Sequence, residues 1–317
     1  MDRWRALADQ IAPSEMSHTL PARSRIHWAG LDGRMTAVQG GRIGMDVVAA
    51  PFPVSWDVDA NVASMERRLA GSPRGSLVAF PEGALSGYSD DLAGLGALNP
   101  ARLDAALAHI QSLAVRHQVS VALGTLWPAQ GGRAGWTNSA VVVSPDIPQR
   151  WWYHKVNLAT HERGVLAFGN QLAVRAGAPA VLGVQLCRDL RFPEQWRWLC
   201  QQGAEVLLYL THAVGEPRAY SVWKSHLVSR AAENQRFVVA VNTAHPEQMC
   251  PTAIIDPRGD ILAETQGADA QVLTAALHLD AVSDWYLSQS RTDLLRIVAG
   301  AAHATSKPRP PHGNAHR

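Results

Sequence analysis

Three chemically capable side chains stand where apolar runs stop. Cys187 follows "APAVLGVQL", Glu82 closes "SLVAFPEG", and Lys155 closes "RWWYHK". Together they supply the parts of nucleophilic acyl transfer: a thiol to attack, a carboxylate to take its proton, and an ammonium to meet the negative charge that develops. A fourth residue, Glu162 in "HERGVLAFGN", lies on the stretch leaving the Lys155 run. Taken singly, each has a bland reading. A cysteine at a strand end is commonly a small buried hydrophobe, and a Glu or Lys after a strand is commonly solvated. Taken together they gain meaning from a rule of α/β sheets, in which ligands bind beyond the carboxyl ends of strands.

The elements that must position these residues follow from periodicity. "DVVAA" reads as a strand and "DVDANVASMERRLAG" as a helix, with Asp at its start and Gly at its end. "SLVAF" is the next strand and "NPARLDAALAHIQSLAVRHQ" the next helix. "VSVALGTLW", "SAVVVSP" and "RWWYHK" read as three consecutive strands. "AVLGVQL" delivers Cys187 to a sharp corner ahead of the helix "FPEQWRWLCQQG". "EVLLYL", "YSVWKSHLVSRAAENQ" and "FVVAVNT" form a strand–helix–strand unit. "TAIIDPRGDILAE" is a hairpin with its turn at "DPRGD", and "VLTAALHLD" a last strand. Strands that alternate with helices at both ends and run consecutively in the middle call for an α/β sandwich of two sheets.

Bulk properties exclude several classes. The chain has 317 residues, 47% of them hydrophobic, and a formal net charge of +2. That balance opposes nucleic-acid binding through phosphate contacts. No apolar run is long enough to span a membrane. The early acidic residues and the lack of an apolar leader point to a cytoplasmic protein, as do three cysteines (Cys187, Cys200 and Cys250) without a CxxC pair. His154 and His161 lack further ligands at metal-binding spacing, so neither metal nor other cofactor is expected. Residues 1–44 read as an extension, or as upstream sequence brought in by an early start. Residues 45–281 read as one domain, and 282–317 as a C-terminal arm with a disordered tail.

The order Glu, Lys, Glu, Cys, carried by "FPEGALSGY", "YHKVNLATHERG" and "LCRDLRFPE", resembles the nitrilase, or carbon–nitrogen hydrolase, superfamily. "DVVAAPFPVSWDVDANVASMERRL", "SRAAENQRFVVAVNT" and "IIDPRGDILAE" extend the likeness over about residues 45–280. The resemblance implies a four-layer αββα sandwich of two mixed sheets flanked by helices, with a metal-free thiol mechanism. In that mechanism Glu82 is the general base, Cys187 the nucleophile that carries a thioester, and Lys155 with the Arg188 backbone N–H the oxyanion donors. Glu162 holds Lys155 charged and orients the leaving group or water. Asp189, Arg191 and Glu194 are expected to brace the corner through ion pairs.

The resemblance also bears on substrate and assembly. Cys187-Arg188-Asp189 is closer to the Cys-x-Asp of amidase and carbamoylase branches than to the Trp-Glu that follows the cysteine in nitrile-hydrolysing members. A small amide or N-carbamoyl compound, with water, is therefore expected. A nitrile substrate and a non-catalytic nitrilase-like binding subunit are the alternatives. Arg188 stands where an aromatic is common, and its side chain either pairs with a substrate carboxylate or faces solvent. Tyr88, Arg188, Thr211, His212 and Tyr220 are the expected pocket residues. A homodimer or higher homo-oligomer is expected, through the helices at 194–202 and 220–235 and the arm "DWYLSQSRTDLLRIVAG".

Overall fold

In a computed structural model, residues 44–129, 135–177 and 179–298 are described; the expectations for residues 1–43 and for the tail from 299 lie outside them. Two sheets organise the chain. The first runs in the order β13 (Leu273–Leu277), β1 (Met45–Ala49), β2 (Leu77–Ala79), β3 (Ser120–Pro128), β4 (Trp136–Ser144), β5 (Ile147–His154), with the short β6 (Leu166–Ala167) also on β4. The second runs β12 (Ile261–Thr265), β11 (Thr252–Ile255), β10 (Phe237–Asn242), β9 (Val206–Thr211), β8 (Leu182–Leu186), β7 (Val174–Arg175). Both are mixed. β1, β2 and β3 are parallel, as are β8, β9 and β10; the outer strands pair antiparallel, except that β6 runs parallel to β4.

Strand alternation makes the layers. In β1, Val47 and Ala49 join a core that also contains Val184 and Leu186 of β8 and Leu208 and Leu210 of β9, so this core lies between the sheets. Val48, on the opposite face, packs with Met65 and Leu69 of α1 (Val58–Ala70) and with Leu103, Leu107 and Ile110 of α2 (Pro100–His117). The outer face of the second sheet, with Leu207 and Tyr209, packs against Trp196 and Leu199 of α3 (Pro193–Gln201) and Leu227 and Ala231 of α4 (Tyr220–Asn234). A strand buried on both faces reads as a continuous apolar run, and the period-two split of that run produces the αββα order.

The helix ends follow their sequence signals. Asp57 caps α1 by accepting from the N–H groups of Asp59 and Ala60, and Asn99 caps α2 from those of Ala101 and Arg102. The "DPRGD" segment closes the β11–β12 hairpin, with the Asp256 side chain accepting from the N–H groups of Arg258 and Asp260. The strand at 273–277 does not extend that hairpin's sheet; it crosses to the other sheet and pairs with β1. Past it, residues 282–298 carry only a short helix, α5 (Trp285–Ser288), and leave Trp285, Leu294, Leu295 and Val298 exposed. No described helix is long and apolar enough to cross a membrane.

Candidate active site

Glu82 is placed by backbone continuity beyond β2. Phe80 N–H donates to Ala122, Gly124 N–H to Pro81 O, and Leu85 N–H to Gly124 O, so the "PEGAL" segment runs on beside β3. Contact there is so close that a β-carbon on Gly124 would lie 2.4 Å from Glu82 Cα and 2.8 Å from Gly83 N. Lys155 leaves β5 still tied to its neighbours: its N–H donates to Asn138 O and its carbonyl accepts from Gly169. Glu162 sits in a turn closed on itself, its N–H bonding Ala159 O and its carboxylate accepting from the Ala159 N–H at 2.6 Å.

These three residues converge although far apart in sequence. Lys155 Nζ lies 3.0 Å from Glu82 Oε1 and 2.9 Å from the Glu162 carboxylate, and all three side chains are fully buried. Asn138, in the middle of β4, donates from Nδ2 to Glu82 Oε1 at 2.7 Å and to Glu162 Oε1 at 2.6 Å. Tyr88 Oη donates to Glu162 at 2.8 Å, and the His212 N–H donates to the second oxygen of Glu82 at 2.8 Å. A buried ion pair is tolerable only when hydrogen bonds satisfy its remaining lone pairs, and here five donors besides Lys155 do so. Sequence reasoning missed Asn138; the available signal was an amide side chain interrupting a buried apolar strand, "WTNSAVVV".

Cys187 occupies the corner between β8 and α3, at the start of a tight helical turn over Cys187–Arg191. Its φ of +38° is left-handed, a region that disfavours a residue with a β-carbon. The surroundings hold it there. Tyr209 Oη donates to Cys187 O at 2.9 Å, Trp196 Nε1 to Asp189 O at 3.1 Å, and Arg230 Nη2 to Leu190 O at 2.9 Å. Asp189 turns inward and is fully buried, accepting from Tyr153 Oη at 2.7 Å, from Asn157 through both its N–H and its amide at 3.0 Å, and from the Leu186 N–H at 3.1 Å. The corner is thus braced by hydrogen bonds rather than the expected ion pairs. Asp189 meets neutral donors, Arg191 lies over the Trp223 ring at 5.1 Å, and Glu194 is exposed.

The charges of this cluster reach the thiol. Burial pushes Cys187 up to about 12, and the Glu82 and Glu162 carboxylates add to the rise against the opposing pull of Lys155 and Thr211. Burial works against the charge of Lys155, but Glu82, Cys187 and Glu162 outweigh it and hold the ammonium above its usual range. Burial likewise opposes ionisation of Glu162, yet Lys155, Asn138 and the Ala159 N–H bring its carboxyl below the usual range. At neutral pH the site therefore rests as a neutral thiol beside the Lys155 ammonium and the Glu162 carboxylate.

A cavity of about 200 Å³ opens beside the thiol, lined by Cys187 with Arg188, Arg191, His161, His212 and Asp90, among others. Tyr88 and Thr211 are buried behind it; Tyr88 Oη also lies 2.8 Å from His161 Nε2, and its ring packs 5.5 Å from that of His212. Tyr220 stands apart from the cavity lining. Its hydroxyl donates to Glu264 of β12 at 2.6 Å, which also takes Lys224, and this turns the ring toward the far edge of the second sheet. Cys200 and Cys250 are buried in the core between that sheet and its helices.

Comparison with known proteins agrees with this architecture. An amidase from Nesterenkonia sp. superposes with a TM-score of 0.66 at 21% identity, over 81% of this chain and 96% of that one. A deaminated glutathione amidase of Synechocystis sp. is 32% identical over 172 residues, which are 49% of this chain; the chain spans 63% of that relative, under two thirds of its length. A 2-oxoglutaramate amidase of Paenarthrobacter nicotinovorans is 26% identical over 277 residues, 80% of this chain and 90% of that protein. The carbon–nitrogen hydrolase family model matches residues 35–286. That match takes in both sheets and every member of the buried cluster, and the chain belongs to the carbon–nitrogen hydrolase, or nitrilase, family.

Proposed function

We propose that this protein hydrolyses the C–N bond of a small amide or N-carbamoyl compound through a thioester on Cys187. The observation that carries this reading is the fully buried Glu82–Lys155–Glu162 network, whose charges act on a thiol facing a cavity. A thiol raised to about 12 is not a standing thiolate. Attack therefore needs proton transfer to Glu82 as the sulfur bonds the carbonyl carbon, which is general-base catalysis. The tetrahedral oxyanion is met by the Lys155 ammonium and by the Arg188 N–H, which lies in the first turn where no acceptor within the helix exists. One such donor is worth about 3–4 kcal/mol at a developing oxyanion. Glu82 then protonates the departing amine, and the bond from carbon to nitrogen breaks. A water, deprotonated by the same carboxylate, adds to the thioester carbon and releases the acid and the thiol. Glu162 has four donors on its two oxygens, which holds it as a fixed anion beside Lys155 and leaves Glu82 to carry protons.

The names of the relatives support an amide over a nitrile, because those reported above are amidases. The cavity volume of about 200 Å³ suits a short acyl chain rather than a protein segment. The exposed apolar side chains of residues 285–298 support self-association through the C-terminal arm, and residues 45–281 then act as the catalytic domain. The test is an ammonia-release screen over amides, N-carbamoyl amines and nitriles. Turnover of a nitrile alone, or equal release by wild type and Cys187→Ala, would sink the reading.

A further inference from the structure

The tight turn that starts at Cys187 repeats every three residues, so side chains three apart fall on one face. Arg188 and Arg191 are three apart on it, and both line the cavity with the thiol. Arg191 is fixed there by its stacking over Trp223 at 5.1 Å and by His226 Nε2 at 3.4 Å from its Nη1. Arg188 has no ion-pair or hydrogen-bond partner among the described residues. The one carboxylate in the lining, Asp90, approaches His161 Nε2 at 3.7 Å and pairs with neither guanidinium. Two guanidiniums on one face of a small cavity, both without a protein carboxylate, form a receptor for anionic oxygens. Each can take a carboxylate bidentately through its planar fork.

We propose that the acyl part of the substrate carries two carboxylates beyond the amide, and that Arg188 is the specificity residue that binds the second of them while Arg191 binds the first. This rests on the amide-hydrolysis reading above. It gives Arg188 a use that is absent from the catalytic steps, since only its backbone serves the oxyanion. Of the two alternatives that the sequence leaves open for this side chain, it takes substrate binding.

The experiment uses protection of Cys187 from alkylation by iodoacetamide in the full-length protein, and so needs no turnover. Butyrate, glutarate and propane-1,2,3-tricarboxylate stand for products with no, one and two carboxylates beyond the one formed at the thiol. Protection should tighten at each step, with the tricarboxylate about 10-fold tighter than glutarate. Arg188→Ala should erase that last step and leave the first, and Arg188→Lys, which keeps a charge without the fork, should restore part of it. Arg191→Ala should weaken glutarate and the tricarboxylate together. Equal protection by glutarate and the tricarboxylate, absence of protection by any of the three, or an Arg188→Ala variant that loses all three alike would overturn the proposal. A thermal melt of each variant identifies loss through misfolding, and in that case Arg188→Gln replaces it. Failure of the amidase reading looks different: the protection series holds, while none of the matching amides releases ammonia.

Discussion

Gly124 and Glu82 meet backbone to backbone, with no room for a methyl group between the strand and the carboxylate-bearing segment. A β-carbon on Gly124 would stand 2.4 Å from Glu82 Cα and 2.7 Å from Pro81 O, and backbone atoms cannot swing aside as a long side chain can. The position of Glu82, the proposed general base, is thereby set from β3, by a residue without a functional group of its own. Gly124→Ala should lower stability by about 1–3 kcal/mol through overpacking and reduce ammonia release by about 100-fold, because a shift near 1 Å at a reacting group has that effect. Gly96→Ala, where a β-carbon meets nothing within 4 Å, is the control and should leave both unchanged. The checks are thermal denaturation and steady-state kinetics. A fully active Gly124→Ala enzyme would show that this contact does not position Glu82.

Glu82→Gln separates two effects of one carboxylate. Its charge helps raise the thiol, so its removal should bring the Cys187 titration down and increase the thiolate fraction at pH 9. Its removal also takes away the proposed base, and turnover should fall by about 100-fold or more. Absorbance at 240 nm, with Cys187→Ala as the blank, measures the first effect and ammonia release the second. A rise in activity alongside the rise in thiolate would mean that proton transfer to Glu82 is not part of the reaction.

Asn138→Leu removes a donor from both carboxylates at once. The Glu162 carboxyl is held below its usual range in part by that donor, so the substitution should raise it. A depressed carboxyl is lost as pH falls through its folded-state value. Its elevation therefore moves the acid limb of the rate profile to higher pH, and moves acid unfolding the same way. Rate and melting profiles between pH 3 and 7 measure this. An unshifted acid limb would remove Asn138 from the charge network.

Asp189→Asn replaces an acceptor of four donors by a group with an N–H₂ of its own. One of Tyr153, Asn157 or the Leu186 N–H must then lose its bond or face a donor. An unmet buried donor costs about 1–3 kcal/mol, and the left-handed Cys187 beside it has less to hold it. The expected result is a fall in melting temperature together with a slower alkylation of Cys187. Unchanged alkylation would show that the corner is held from Tyr209, Trp196 and Arg230 without Asp189.

Much of the fold was legible because it is written in local periodicity. Apolar runs of strand length, two helices started by Asp57 and Asn99, and the "DPRGD" turn each depend on neighbours a few residues away. The two short strands at 166–167 and 174–175 carry too few residues for a pattern, and the crossing of the last strand to β1 is a pairing choice between distant edges. At the site, Glu82, Lys155 and Cys187 were visible as polar ends of apolar runs, with Glu162 on the stretch leaving the Lys155 run, all four in a family order; the structure brings Glu82, Lys155 and Glu162 into one buried network whose charges reach the thiol.

The sequence by itself determined which residues could be nucleophile, base and ammonium, because side-chain type and strand-end position are local facts. Only the tertiary structure decided what those groups are at rest. Asn138 joins the two carboxylates across strands, burial keeps the thiol protonated, and Arg188 shares a face with Arg191 while Tyr220 turns away to Glu264. The physical reason is that desolvation and Coulomb coupling depend on distance in space and exclusion of water, and neither is a function of position along the chain.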